Sequence, residues 1–229
     1  MGPSEQTRKI VCDDIESPFV ESVAKFAAWE YRCLYDTLAS DTLLTNEQRA
    51  QEFGRRRALA ISKAMIQAAK KHNLPYDIKR LKCNGQSKVL VKIGRVILMQ
   101  EVMATLYGHK PQAAMYKEEI SRYAGVITQL ELDLGDRPQQ LLDWSDGVLA
   151  VLLHGTCGSR FAERECELGA LMLAVPDAAY ENWVIRLDLH DIALFGGVPV
   201  KRVSGDANNQ EDRVFVQRKI KKSKLRSNG

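Results

Sequence analysis

The chain has no Cys-x-x-Cys pair, no Gly-x-Gly-x-x-Gly, no Gly-x-x-x-x-Gly-Lys-Ser/Thr and no internal repeat. Each absence removes a class. Without the glycine motifs, dinucleotide and phosphate-loop chemistry is disfavoured. Without a period of roughly 20 to 50 residues, solenoids and propellers are excluded. Five cysteines (Cys12, Cys33, Cys83, Cys157, Cys166) are odd in number and widely spaced. That pattern argues against a disulfide framework and a zinc-finger cage and leaves reduced thiols. No apolar run reaches the roughly 18 residues a bilayer-spanning helix needs, and the N-terminus lacks the apolar stretch of a secretory signal, so the expectation is a cytosolic protein without membrane contact. Aromatics are sparse, 7% of the chain, and do not alternate with basic residues as a single-strand stacking platform requires. No helix-turn-helix, zinc finger, RNA-recognition signature or basic zipper is present either, so sequence-specific base readout has no support.

What is present is a partition of charge. The chain carries a formal +4, and residues 213–229 hold seven Lys or Arg and no acid. Outside that segment 26 basic residues face 29 acidic ones, a balance of −3. A slightly acidic body thus bears a concentrated basic appendage, in which Arg218, Lys219, Lys221, Lys222, Lys224 and Arg226 are the candidate phosphate contacts. Val214, Phe215, Val216 and Ile220 allow residues 213–220 to form a last edge strand, with only Lys221 onward free. The alternative reading of the tail is an inert solubilising terminus.

The hydrophobic patterning divides the body. Ser17-Pro18, followed by apolar residues at three-and-four spacing, predicts a helix from Pro18 to Ala39 with Ser17 as its cap. Thr45-Asn46-Glu47-Gln48 has the form of a capping box and opens a second helix, from Asn46 to about His72, which Asn73-Leu74-Pro75 stops. On it Arg56, Lys63 and Lys70 recur every seven residues and so share a side. They extend the tail's positive field or simply pair with acids such as Glu52. Beyond Pro75 the pattern turns extended: Tyr76 to Cys83 and Ser87 to Met99 flank Asn84-Gly85 as a hairpin with a tight type I′ turn, and Gly94 marks a bulge or a close backbone approach. Short helices are expected at Glu101 to Tyr107 and Gln112 to Arg122. Strands are expected at Val126 to Leu134, Val148 to His154, Leu168 to Val175 and Trp183 to Leu189, then apolar Ile192 to Phe195 and a linker from Ser204 to Asp212. Helices gathered ahead of strands predict an α+β fold, two N-terminal helices on a largely antiparallel sheet. Residues 1–212 form one domain in this reading, and 213–229 the tail.

Candidate chemistry is incomplete everywhere. Leu152 to Ser159 delivers His154 and Cys157 into one glycine loop, the residue types of a thiol nucleophile with its base, although a strand-terminal glycine loop is also an ordinary turn. Asp133 and Asp136 beside a predicted strand end are where a metal-dependent nuclease places Mg²⁺ ligands, but the Asp followed by Glu-x-Lys is missing, and Asp77-Ile78-Lys79 is the nearest fragment. Cys157, Cys166, His154 and His190 match no zinc spacing. No cofactor and no metal is expected. The leading expectation is a non-enzymatic cytosolic binding or regulatory protein, nucleic-acid-associated through phosphates with little base specificity, the body contacting a protein partner or itself. The rivals are a nuclease or thiol hydrolase, and a structural or assembly subunit pairing through an exposed edge at Val89 to Ile93.

Overall fold

The computed structural model describes residues 3–82, 85–103, 111, 148–176 and 182–189. The architecture is α+β: helices α1 (Pro3–Asp14), α2 (Ser17–Ala39) and α3 (Asn46–Lys71) precede strands β1 (Tyr76–Arg80), β2 (Ser87–Ile93), β3 (Val96–Val102), β4 (Val148–Thr156), β5 (Leu168–Pro176) and β6 (Trp183–Asp188). The six strands form one sheet in chain order. Every pairing is antiparallel except β3 with β4, which is parallel and so requires a crossover rather than a hairpin. The expected helix at Gln112 to Arg122, strand at Val126 to Leu134, apolar run from Ile192, linker and basic tail lie outside the described residues.

Local chemistry sets most boundaries. The capping box of α3 is present: the Gln48 amide donates to Thr45 Oγ1 at 3.3 Å and the Thr45 amide to Gln48 Oε1 at 2.9 Å. The helix closes before Pro75 is reached, because Asn73 adopts a left-handed φ of 53° and the Leu74 amide returns to the Ala69 carbonyl at 2.8 Å. At the start of α2 the expectation is off by one: Ser17 is the first helical residue, Glu16 precedes it without a side-chain cap, and Pro18 supplies the rigid entry.

Helix α1 was not anticipated, since Ile10, Val11 and Ile15 are too few to establish a period. It is held by tertiary contact. Val11 is buried, and Asp14 grips the β2–β3 turn, its Oδ2 accepting from the Arg95 amide at 2.6 Å and its Oδ1 pairing with Arg95 Nη2 at 2.6 Å. That turn explains Gly94. With φ of 55° it closes a two-residue hairpin between Ile93 and Val96, and a Cβ there would lie 2.6 Å from Asp14 Oδ2. Close approach is therefore correct, but the single strand expected from Ser87 to Met99 is two.

Three further expectations need correction. Arg80 pairs with Ser87, so the β1–β2 connection runs over 81–86 and is closed by the Leu81 amide on the Gln86 carbonyl at 2.8 Å, not by a two-residue turn at Asn84-Gly85. Burial of Leu81 draws the chain inward before the turn begins. Glu101 and Val102 end β3 instead of starting a helix, because β3 continues in register beside Leu153 and His154. Val89 to Ile93 is no exposed edge either: β2 lies between β1 and β3, with both sides of its backbone ladder occupied. The assembly surface proposed for it does not exist.

The helices cover one sheet face. Ala150, Leu152, Leu171 and Leu173 point to α2 and α3, while Val151, Leu153, Ala170 and Met172 belong to a second cluster on the opposite face. Burial on both sides is why β4 and β5 read as continuous apolar runs rather than alternating ones. Each such Leu or Ile contributes about 1.5–3 kcal/mol.

Candidate functional site

A buried polar cluster lies between α2 and the sheet. His154, third from the end of β4, is 0% exposed and points toward the helices. Its Nδ1 stands 2.5 Å from the Tyr31 hydroxyl and its Nε2 3.1 Å from Gln100 Oε1. One neutral tautomer satisfies both contacts: Tyr31 O–H donates to Nδ1, and Nε2–H donates to Gln100. Burial first, then the positive fields of Arg57 and Lys88, push the imidazole down to about 3, so the ring is uncharged at neutral pH. Burial likewise pushes the Tyr31 phenol well above its ordinary value, opposed by Arg57. Tyr31 is fixed further by edge-on contact with Phe53 at 5.7 Å, and Phe53 meets Phe161 at 6.4 Å. The cluster ties α2 to β4 and β3.

This geometry answers the thiol reading. A base for Cys157 needs a free imidazole nitrogen, and both nitrogens of His154 are committed to buried partners. Cys157 follows the end of β4, where its amide donates to the Glu167 carbonyl at 3.0 Å, so the structure does not assemble His154 with Cys157 as base and nucleophile. The loop after β4 is a tied turn. Gly158 N–H donates to the Glu165 carbonyl at 2.9 Å, Arg160 pairs with the Glu165 carboxylate at 2.9 Å, Glu163 pairs with Arg32 of α2, and Phe161 stacks on Tyr35 at 5.0 Å. Cys166 is buried in that turn, and burial raises its thiol pKa. His154 is equally unavailable to a metal, and among the described residues no group of three or more His, Cys, Asp or Glu converges. Asp133, Asp136, His190 and the tail residues Arg218, Lys219, Lys221, Lys222, Lys224 and Arg226 lie outside the described residues. Asp77 and Lys79 sit in β1 at the sheet edge.

The basic stripe of α3 is present and partly neutralised. Arg56 Nε lies 2.9 Å from Glu52 Oε2, and Lys63 Nζ lies 3.0 Å from Glu30 Oε2. Glu30 is only 5% exposed, so Lys63 compensates a carboxylate that faces inward, joined by Gln67 Nε2 at 3.0 Å. Arg56 and Lys63 nonetheless keep exposed side chains, and Lys70 has no acidic partner among the described residues.

Two features escaped the sequence reading. Ser22 of α2 is buried against the end of α3: its hydroxyl donates to the Pro18 carbonyl at 2.9 Å and meets Lys71 Nζ at 3.1 Å and His72 Nε2 at 2.8 Å. With its proton committed to a backbone carbonyl and its oxygen sealed, Ser22 clamps the two helices. The second is Trp29, whose indole is 63% exposed on α2. Neither had a motif to announce it: Ser22 gains its meaning from His72, fifty residues away, and Trp29 from its exposure beside a residue paired across to α3.

No protein-family model, curated protein or solved structure matches the chain. Function must therefore be argued from these residues alone.

Proposed function

We propose that this protein is a non-enzymatic binding protein that associates with nucleic acid through phosphate contacts made by its basic C-terminal segment, with little base specificity, in the cytosol and in a regulatory role. The observation that carries the reading is the charge partition: seven basic residues and no acid in 213–229, against a remainder of net −3. Such a segment displaces the counterions condensed on a polyanion, and its affinity derives from that release. The exposed ammonium and guanidinium groups of Lys63, Lys70 and Arg56 on α3 add a second, weaker positive surface, since an exposed ion pair worth about 0–1 kcal/mol does not prevent a cation from meeting a phosphate. The inward contacts of the buried His154 and Glu30 commit those two groups to holding the fold.

The test is a salt titration of binding to duplex and single-stranded oligonucleotides. Wild-type chain is compared with full-length chain in which Arg218, Lys219, Lys221, Lys222, Lys224 and Arg226 are all replaced by Gln. Each lost phosphate contact should lower the log–log salt slope by about 0.9 on duplex and about 0.7 on a single strand. Equal affinity and equal slope for the two proteins would remove the tail from the account.

A further inference from the structure

The outer side of the α2–α3 hairpin carries both an exposed aromatic ring and exposed cations, a combination that the linear order of residues conceals. Trp29 immediately precedes Glu30, which binds Lys63 of α3 at 3.0 Å, and it follows Phe26 by three residues, whose ring lies 5.9 Å from Lys71 Nζ of α3. By helical geometry these two cross-helix contacts put Trp29 on the α3 side of the outer surface of α2, near the level of Lys63. On α3, Arg56, Lys63 and Lys70 repeat along one line, each step about 10 Å by helical rise. Leu59, three residues after Arg56 and four before Lys63, is 68% exposed. A tryptophan 63% exposed is apolar surface left in water one residue from the Glu30–Lys63 pair, on a helix pair that carries three exposed cations, of which Arg56 engages Glu52 and Lys63 engages Glu30.

We infer that this face binds single-stranded nucleic acid, the Trp29 indole stacking on an unpaired base while Lys63, Lys70 and Arg56 follow the phosphates. The inference rests on the phosphate-binding reading above and sharpens it from a polyanion to an unpaired strand. An exposed indole discriminates between strand states because every base has a π-face, and only an unpaired strand can turn that face toward a side chain. Duplex DNA offers a helix face its phosphates, which the cations contact equally, but no free base for the ring. An acidic protein would satisfy the cations as well, but the phosphate-binding reading of the tail favours a ligand that serves both surfaces, and that ligand is a nucleic acid. The stripe supplies charge and the ring supplies discrimination between single and double strands, which the tail by itself lacks.

The experiment measures fluorescence anisotropy of a labelled oligothymidylate of about twenty nucleotides, and of a duplex of equal length, titrated with full-length chain. Trp29→Ala is expected to weaken single-strand binding roughly 5- to 100-fold. It should leave duplex binding and both salt slopes unchanged. Trp29→Phe should keep affinity within a few-fold of wild type, while the quenching of intrinsic tryptophan emission by the oligonucleotide disappears. Because Trp29 is a surface residue, an unchanged far-UV circular dichroism spectrum and melting midpoint establish that each variant is folded. Single-strand affinity unchanged in Trp29→Ala overturns the inference. So does a wild-type dimer in light scattering that Trp29→Ala dissociates while oligonucleotide binding stays the same, which would give this face to a second copy of the chain. If the tail variant loses binding and Trp29→Ala does not, this inference fails alone. If wild-type chain binds neither oligonucleotide, it fails together with the reading beneath it.

Discussion

Acidification should weaken this fold through one side chain. In the unfolded chain His154 titrates near 6.5, whereas in the fold its imidazole resists protonation down to about 3. Above the unfolded value neither state holds the proton, and the buried ring exerts no pH dependence. As pH falls below it, the unfolded chain takes up a proton that the folded chain refuses, so unfolding becomes progressively easier until the folded ring also titrates. Within that window the loss is about 1.4 kcal/mol per pH unit. Between about pH 7.5 and pH 5 it amounts to about 2 kcal/mol, a large share of the roughly 5–15 kcal/mol by which a domain of this kind is stable. Because the ring is 0% exposed, no discount for solvent screening applies.

Urea unfolding of wild type and of His154→Gln at those two pH values isolates the effect. The glutamine variant has no titrating group at position 154, so its stability should change less across the interval by about 2 kcal/mol. At neutral pH it should itself be weaker by about 1–3 kcal/mol, since the Tyr31 hydroxyl and Gln100 lose their shared partner inside the core. Carboxylates such as Asp14, held low chiefly by its side-chain hydrogen bond with Arg95, also lose stability on acidification, but equally in both proteins, so the difference between the two belongs to His154. Identical pH dependence in the two proteins would show that the ring exchanges protons freely while folded, and the sealed Tyr31–His154–Gln100 arrangement would be refuted.

Glycine positions supply independent tests of the packing. Gly54 lies inside α3 with nothing within 4 Å of an added Cβ, so Gly54→Ala should stabilise the protein by about 0.5–1 kcal/mol in urea; destabilisation would contradict the open surface assigned to it. Gly169 sits in the β4–β5 irregularity, where an added Cβ would lie 2.6 Å from the Cys157 amide nitrogen and from the Thr156 carbonyl carbon; Gly169→Ala should cost about 2–4 kcal/mol, because backbone cannot yield as a side chain does. Gly94→Ala should cost less, about 1–2 kcal/mol, since Asp14 can swing aside and the left-handed backbone supplies most of the penalty; the reverse order of the two would contradict this contact geometry.

The parts of the fold visible in the residues are those specified locally. The α3 capping box, the apolar stripe of α2 and the runs at Val148 and Leu168 each carry their instruction within a few positions. What was misjudged depends on distant residues. A glycine of left-handed φ can bulge a strand or end it, and at Gly94 the decision comes from Asp14, which docks on the turn. Asn-Gly is the strongest short hairpin signal, yet burial of Leu81 moved the closure of the β1–β2 loop outward from that dipeptide. The short α1 carries too few apolar residues for a period, and it is folded by what it touches.

The same division governs the site. His154 and Cys157 are three residues apart and invited a catalytic reading because sequence proximity was the only distance available. In the fold the relevant distance for His154 is 2.5 Å, to a tyrosine 123 positions away, and it removes the ring from chemistry. Trp29 carries the opposite lesson. Taken in order, it has an alanine and a glutamate beside it, with Lys25 four residues before and Arg32 three after, too little to read as a stacking platform. Pairing α2 with α3 through Glu30 and Lys63 brings the cations to it from thirty residues downstream. Composition therefore recorded the charge, but only the helix pairing brings Lys63 of α3 to the residue that follows the exposed Trp29. If a strand's base is held at Trp29, as proposed, its remaining phosphates are the charge that a segment rich in Lys and Arg is chemically equipped to meet.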